Sequence, residues 1–131
     1  MQQISSLRGI QVLVVDNDRA IREAVSFILQ ELGAEVLSAA TVPQALALFT
    51  HSRPNVLISD INMPGEDGYS LLRQLKAMES QDSQTASIAM TASSQKDDRQ
   101  RLLAAGFQRV LLKPFSRSDL IEAIVSLLSL D

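Results

Sequence analysis

The sequence predicts a doubly wound α/β domain in which five strands alternate with five helices. The first observation behind this is a set of short runs, at residues 12–15, 36–39, 56–59, 88–90 and 110–112, that are apolar at nearly every consecutive position. Strands of that kind are covered on both faces, as in a parallel sheet, whereas a half-exposed strand alternates. The second observation is that the stretches between the runs carry helical periodicity, with start and stop signals at their ends. The third is length: 131 residues suffice for one such domain, and two would leave both with inadequate cores.

The run at 12–15 reads Val12-Leu13-Val14-Val15. After it, Ile21, Ala24, Val25, Ile28, Leu29 and Leu32 fall on one helical face, and Gly33 supplies a left-handed stop. The second run, 36–39, is the weakest of the five. A second helix starts at Thr41, with Gln44 three residues on and Pro43 in the first turn, where its missing N–H costs nothing. The third run, 56–59, leads into a loop whose Pro64, Gly65 and Gly68 favour turns, followed by a helix over 69–78. A polar stretch, 79–85, precedes the fourth strand. Ser94 with Asp97 is a candidate cap for a fourth helix ending before Gly106, and Ser116 with Asp119 for a fifth running through Ile121, Ile124, Val125 and Leu128. Because strand-helix-strand connections are right-handed, this alternation predicts a three-layer (βα)5 sandwich of flavodoxin-like strand order 2-1-3-4-5. Residues 1–8 read as an N-terminal tail or linker, and 9–131 as the domain.

Composition excludes several function classes. A net charge of -3 and a pI near 5.1, without a cluster of Lys and Arg, argue against direct nucleic-acid binding. Aromatic residues are 4% of the chain and Trp is absent, so stacking platforms for single-stranded bases are lacking. With no Cys there is neither a disulfide framework nor a thiolate nucleophile. Residues 1–8 lack the apolar stretch of a signal peptide, and no segment offers the roughly 20 apolar residues that span a bilayer. The expectation is a cytoplasmic protein without membrane insertion.

In open α/β sheets the ligand site lies outside the carboxyl ends of the strands. There the first strand is followed by Asp16, Asn17 and Asp18, the third by Asp60, the fourth by Thr91 and Ala92, and the fifth by Lys113 and Pro114. Any one of these has an ordinary explanation, since Asp and Asn favour turns and helix caps, and Asp18 suits the cap of the first helix. Their conjunction does not. Two or three carboxylates, a hydroxyl and an ammonium would meet at one sheet edge, and such hard oxygen donors suit Mg²⁺. His51, the single histidine, sits in a polar stretch and is expected at the surface.

These same segments resemble the receiver domains of two-component response regulators. The resemblance rests on Val12-Leu13-Val14-Val15-Asp16, on Val56-Leu57-Ile58-Ser59-Asp60-Ile61-Asn62-Met63-Pro64-Gly65, on Met90-Thr91-Ala92 and on Leu112-Lys113-Pro114-Phe115. It implies that Asp60 accepts a phosphoryl group from a histidine kinase or histidine phosphotransfer protein, without the protein being an enzyme in its own right. It implies Mg²⁺ held by Asp16, Asp60 and the Asn62 main-chain carbonyl, with Asn17 at the position of a second acidic residue. Thr91 would bond a phosphoryl oxygen, Lys113 would form the cationic contact, and the surface of the fourth helix, fifth strand and fifth helix would signal to a downstream partner. The sequence departs from the family pattern at Asn17, which removes a charge from the metal site, and at Val110, where an aromatic residue is usual. Two rivals remain: a receiver-like docking module that takes no phosphate, and a phosphatase resembling the haloacid dehalogenases, whose Asp-x-Asp fragment Asp16-Asn17-Asp18 matches.

Overall fold

The computed structural model describes residues 6–63, 65, 67–80 and 84–128. Pro64 and the tail residues 1–5 lie outside the described residues. Strands and helices alternate as β1 (Gln11–Val15), α1 (Arg19–Glu31), β2 (Glu35–Ala39), α2 (Val42–Ser52), β3 (Val56–Asp60), α3 (Gly68–Met78), β4 (Ala86–Thr91), α4 (Lys96–Ala105), β5 (Arg109–Leu112) and α5 (Arg117–Leu128). All neighbouring strands pair in parallel, in the order β2-β1-β3-β4-β5. The predicted doubly wound sheet is the one found.

Strand position explains how clearly each run shows in the sequence. β1, β3 and β4 lie inside the sheet and are buried along nearly their whole length, so they read as unbroken apolar runs. β2 is an edge strand with only Ala39 fully buried, which is why its pattern is weakest. Successive residues of a strand face opposite sides, and the sheet therefore separates two cores. Leu13, Val15, Leu57 and Ala89 pack with Phe49, Leu71, Leu75, Leu102 and Phe107 beneath α2, α3 and α4. Val12, Val14, Ile58, Ile88 and Met90 pack with Val25, Leu29, Leu120 and Ile124 beneath α1 and α5. Leu7 belongs to this second core: it is fully buried, and its N–H donates to the Leu32 carbonyl at 2.6 Å.

Four helices are capped by their own N-terminal residues. The Asp18 carboxylate accepts from the N–H groups of Ala20 and Ile21, Thr41 Oγ1 from Gln44 N–H, and Asp67 from Ser70 N–H. Ser116 and Asp119 form a reciprocal box, each side chain accepting the other's N–H at 3.0 Å. The expected Ser94–Asp97 cap is not formed. α4 starts at Lys96, and its N-cap residue Gln95 makes no side-chain cap bond. Instead Ser93 Oγ donates to the Asp98 carboxylate and accepts from Gln95 N–H. The pairing shifts by a residue because Thr91 Oγ1 draws Ser93 N–H back onto the end of β4 at 3.1 Å.

Candidate functional site

A parallel sheet brings the carboxyl ends of its strands to one edge, and the register decides which side chains meet there. Asp60 closes β3 opposite Met90, and Thr91 closes β4 one step further, opposite Leu112. Lys113, just beyond β5, is tied back by its N–H to the Thr91 carbonyl at 2.7 Å. Its Nζ lies 2.8 Å from Asp16 Oδ2 and 3.2 Å from Asp60 Oδ1. One ammonium thus bridges two buried carboxylates whose charges would otherwise repel. The second Asp16 oxygen, Oδ1, accepts from Asp18 N–H at 2.9 Å, and its main-chain carbonyl accepts from the Arg22 guanidinium at 2.8 Å. Asp16 is completely buried, and Asp60 only 6% exposed.

Burial above all, and next the charge of Asp16, push the Asp60 carboxyl above the usual carboxylate range; the Lys113 ammonium and a hydrogen bond from the Asn62 N–H pull it back only in part. Burial pulls Lys113 down, but its hydrogen bond to Asp16 and the charges of both carboxylates outweigh this and leave it raised. Asp60 is therefore a carboxylate whose negative charge is costly where it stands.

Of the residues singled out from the sequence, Asp16, Asp60 and Lys113 are in direct contact. Thr91 is buried at the same edge, with its hydroxyl engaged by Ser93 N–H. Asn17 and Asn62 lie on the exposed loops after β1 and β3. Asp18 caps α1, its ordinary role, and so is committed elsewhere than the phosphatase-like fragment requires. His51 is exposed in the last turn of α2.

Three supporting residues were not singled out as parts of the site. Gly68 begins α3 so close to the site that an added Cβ would stand 2.6 Å from the Asp60 main-chain oxygen and 2.9 Å from Ile61 Cδ1. In the sequence it reads as one more turn glycine, because close approach leaves no local signal. Arg22 clamps the loop after β1, and Ser93 ties Thr91 to α4. An apolar groove of about 420 Å³ opens beside Lys113, between Ile21, Ala24 and Ile28 of α1 and the Pro114-Phe115 turn.

Comparison with known proteins agrees with this geometry. The family model of the response regulator receiver domain matches residues 12–125. An uncharacterized 14.6 kDa protein in the sodA1 3' region of Leptolyngbya boryana is 34% identical over 121 residues, covering 92% of both chains. The transcriptional regulatory protein PrrA of Mycobacterium tuberculosis is 36% identical over 118 residues, which are 90% of this chain and 49% of that one; the chain spans about half the length of that relative. Among solved structures, the chemotaxis response regulator CheY4 of Vibrio cholerae superposes with a TM-score of 0.83 at 34% identity, covering 90% of this chain and 98% of the other. On its sheet order, on the residues at its strand ends and on these matches, the chain belongs to the response regulator receiver domain family.

Proposed function

We propose that Asp60 takes a phosphoryl group from a phosphohistidine of a histidine kinase or histidine phosphotransfer protein, and that the phosphorylated domain signals to a downstream protein through α4, β5 and α5. The observation that carries this reading is the Lys113 ammonium held between Asp16 and Asp60, which puts a fixed positive charge where phosphoryl oxygens would arrive. An Asp60 carboxylate oxygen attacks phosphorus as the bond from phosphorus to the imidazole nitrogen breaks. The imidazole leaves with the electron pair. Lys113 neutralises the phosphoryl oxygens, and the Thr91 hydroxyl donates to one of them after transfer. A carboxylate needs no general base, but it must be ionised, so the raised Asp60 carboxyl makes transfer weaken as pH falls toward the carboxylate range. The apolar groove beside Lys113 offers the phosphodonor protein a surface next to the reacting atoms.

The donor set fits Mg²⁺. Among the described residues no three His, Cys, Asp or Glu side chains cluster as a metal site, so a cage for a tightly held ion is absent. Two carboxylates and loop carbonyls are the sparse all-oxygen set that a well-hydrated Mg²⁺ takes. Asp16, Asp60 and the Asn62 carbonyl would hold it, with Asn17 alongside. When bound, the ion supplies divalent charge against the phosphoryl oxygens. Asn17→Asp adds a charged ligand and should tighten Mg²⁺ binding by about 1–2 kcal/mol, the scale of one added charge at contact in a wet site. Titration calorimetry on both proteins checks this, and equal affinities reject it.

The direct test incubates the protein with acetyl phosphate, with and without Mg²⁺, and reads intact mass beside Asp60→Asn. One phosphoryl group that requires Mg²⁺ and is lost in the variant supports the proposal. No added mass in a folded wild type favours a docking module that does not take phosphate, the reading for which the missing acidic residue at Asn17 speaks. No described helix is long and apolar enough to cross a membrane, which suits a partner-binding module in the cytoplasm.

A further inference from the structure

α4 is the helix least securely held in this fold. It buries one residue completely, Leu102, and its N-cap residue contributes no side-chain bond. What holds its first turn is Ser93, whose Oγ donates to the Asp98 carboxylate and accepts from Gln95 N–H at 3.3 Å. Asp98 faces one further charged partner, Arg101, at the limiting distance of 4.0 Å on the solvent side, so its firm contact is the serine. The N–H of the same residue, Ser93, donates to Thr91 Oγ1 at 3.1 Å. Ser93 therefore joins the hydroxyl at the site to the start of α4 through its two polar groups.

We propose that Ser93 is the coupling residue by which the state of Asp60 reaches α4, resting on the reading of Asp60 as phosphoacceptor. Val110, the β5 residue packed beside this loop, is β-branched and half-buried, with one small side chain and few rotamers, so it has no large body to carry a signal. The hydrogen bonds through Ser93 are the remaining covalently short route. When the Thr91 hydroxyl turns toward a phosphoryl oxygen on Asp60, its hold on Ser93 N–H is released. Ser93 then shifts with the loop, its grip on Asp98 and Gln95 N–H is broken or moved, and the first turn of α4 loosens. A helix with little buried surface responds to the loss of one such bond more readily than its neighbours do.

The test combines acetyl phosphate and Mg²⁺ with hydrogen–deuterium exchange over residues 96–105, intact mass reporting occupancy of Asp60 in each sample. In the wild type, phosphorylation should speed exchange in the first turn of α4 by about fivefold, the factor that one net hydrogen bond makes in a local opening equilibrium. Ser93→Ala should take up the same mass, exchange fast from the outset and show no further change. Ser93→Thr, which keeps the hydroxyl, should restore the response, and Asp98→Asn, which keeps an acceptor oxygen, should retain most of it. A full exchange response in Ser93→Ala at equal occupancy overturns the coupling role alone. An unphosphorylated wild type overturns the phosphoacceptor reading and this proposal together.

Discussion

Asp60 is held where its own charge is unfavourable, and stability should record that. Its carboxyl is raised, so the folded protein binds this proton more tightly than the unfolded chain does. The contribution of Asp60 to stability is thus most favourable at acid pH and declines as pH rises from the ordinary carboxylate range through the raised folded value. Lys113 is raised as well, and its contribution is complete below the ordinary lysine range and disappears as pH climbs through its folded value. Asp60→Asn removes the buried charge and should stabilise the protein at neutral pH by about 1 kcal/mol, the usual scale of relief at a functional site. Urea melts at several pH values check this: the advantage should shrink as acid protonates the wild-type carboxyl, and a variant less stable at neutral pH would contradict it. Gly68→Ala works in the other direction. The new Cβ meets the Asp60 carbonyl and Ile61 at distances no carbon tolerates, so a loss of about 2–3 kcal/mol is expected together with poorer phosphoryl uptake. Asp16, Asp60, Thr91 and Lys113 were legible as strand-end residues, because such positions can be counted along the chain. The need for glycine at 68 was not, since it comes from the path of another segment.

At the scale of the element, legibility followed the capping chemistry. Thr41 with Gln44 and Ser116 with Asp119 are local pairs, and both helices start where those pairs indicate. Ser116→Ala should cost about 1 kcal/mol in chemical denaturation, with the loss confined to the start of α5 in hydrogen exchange. An unchanged midpoint would show that the box contributes nothing to α5. α4 misled because three serine-loop residues in sequence, Ser93, Ser94 and Gln95, all lie within reach of a helix start. The choice fell to Ser93 through Thr91, a strand residue outside the local window. The edge strands tell a similar story: β2 reads faintly because one of its flanks has no neighbour to demand apolar residues.

For the whole molecule, the packed body includes Leu7, within the segment expected from sequence to be a tail. Its side chain is fully buried in the core beneath α1 and α5, so Leu7→Ala should lower stability by about 3 kcal/mol; a change below 0.5 kcal/mol in urea melts, within the range of surface substitutions, would exclude a core role. The sequence by itself determined the order of strands and helices, the two-sided burial of the central strands and the residue types at the strand ends, because periodicity, turn chemistry and chirality act over short stretches of chain. Only the tertiary structure decided that one lysine bridges two carboxylates 97 and 53 residues away from it, that the Thr91 hydroxyl turns to Ser93 and that Leu7 is core. Those outcomes depend on sheet register and on distances between segments remote in sequence, which no local pattern encodes.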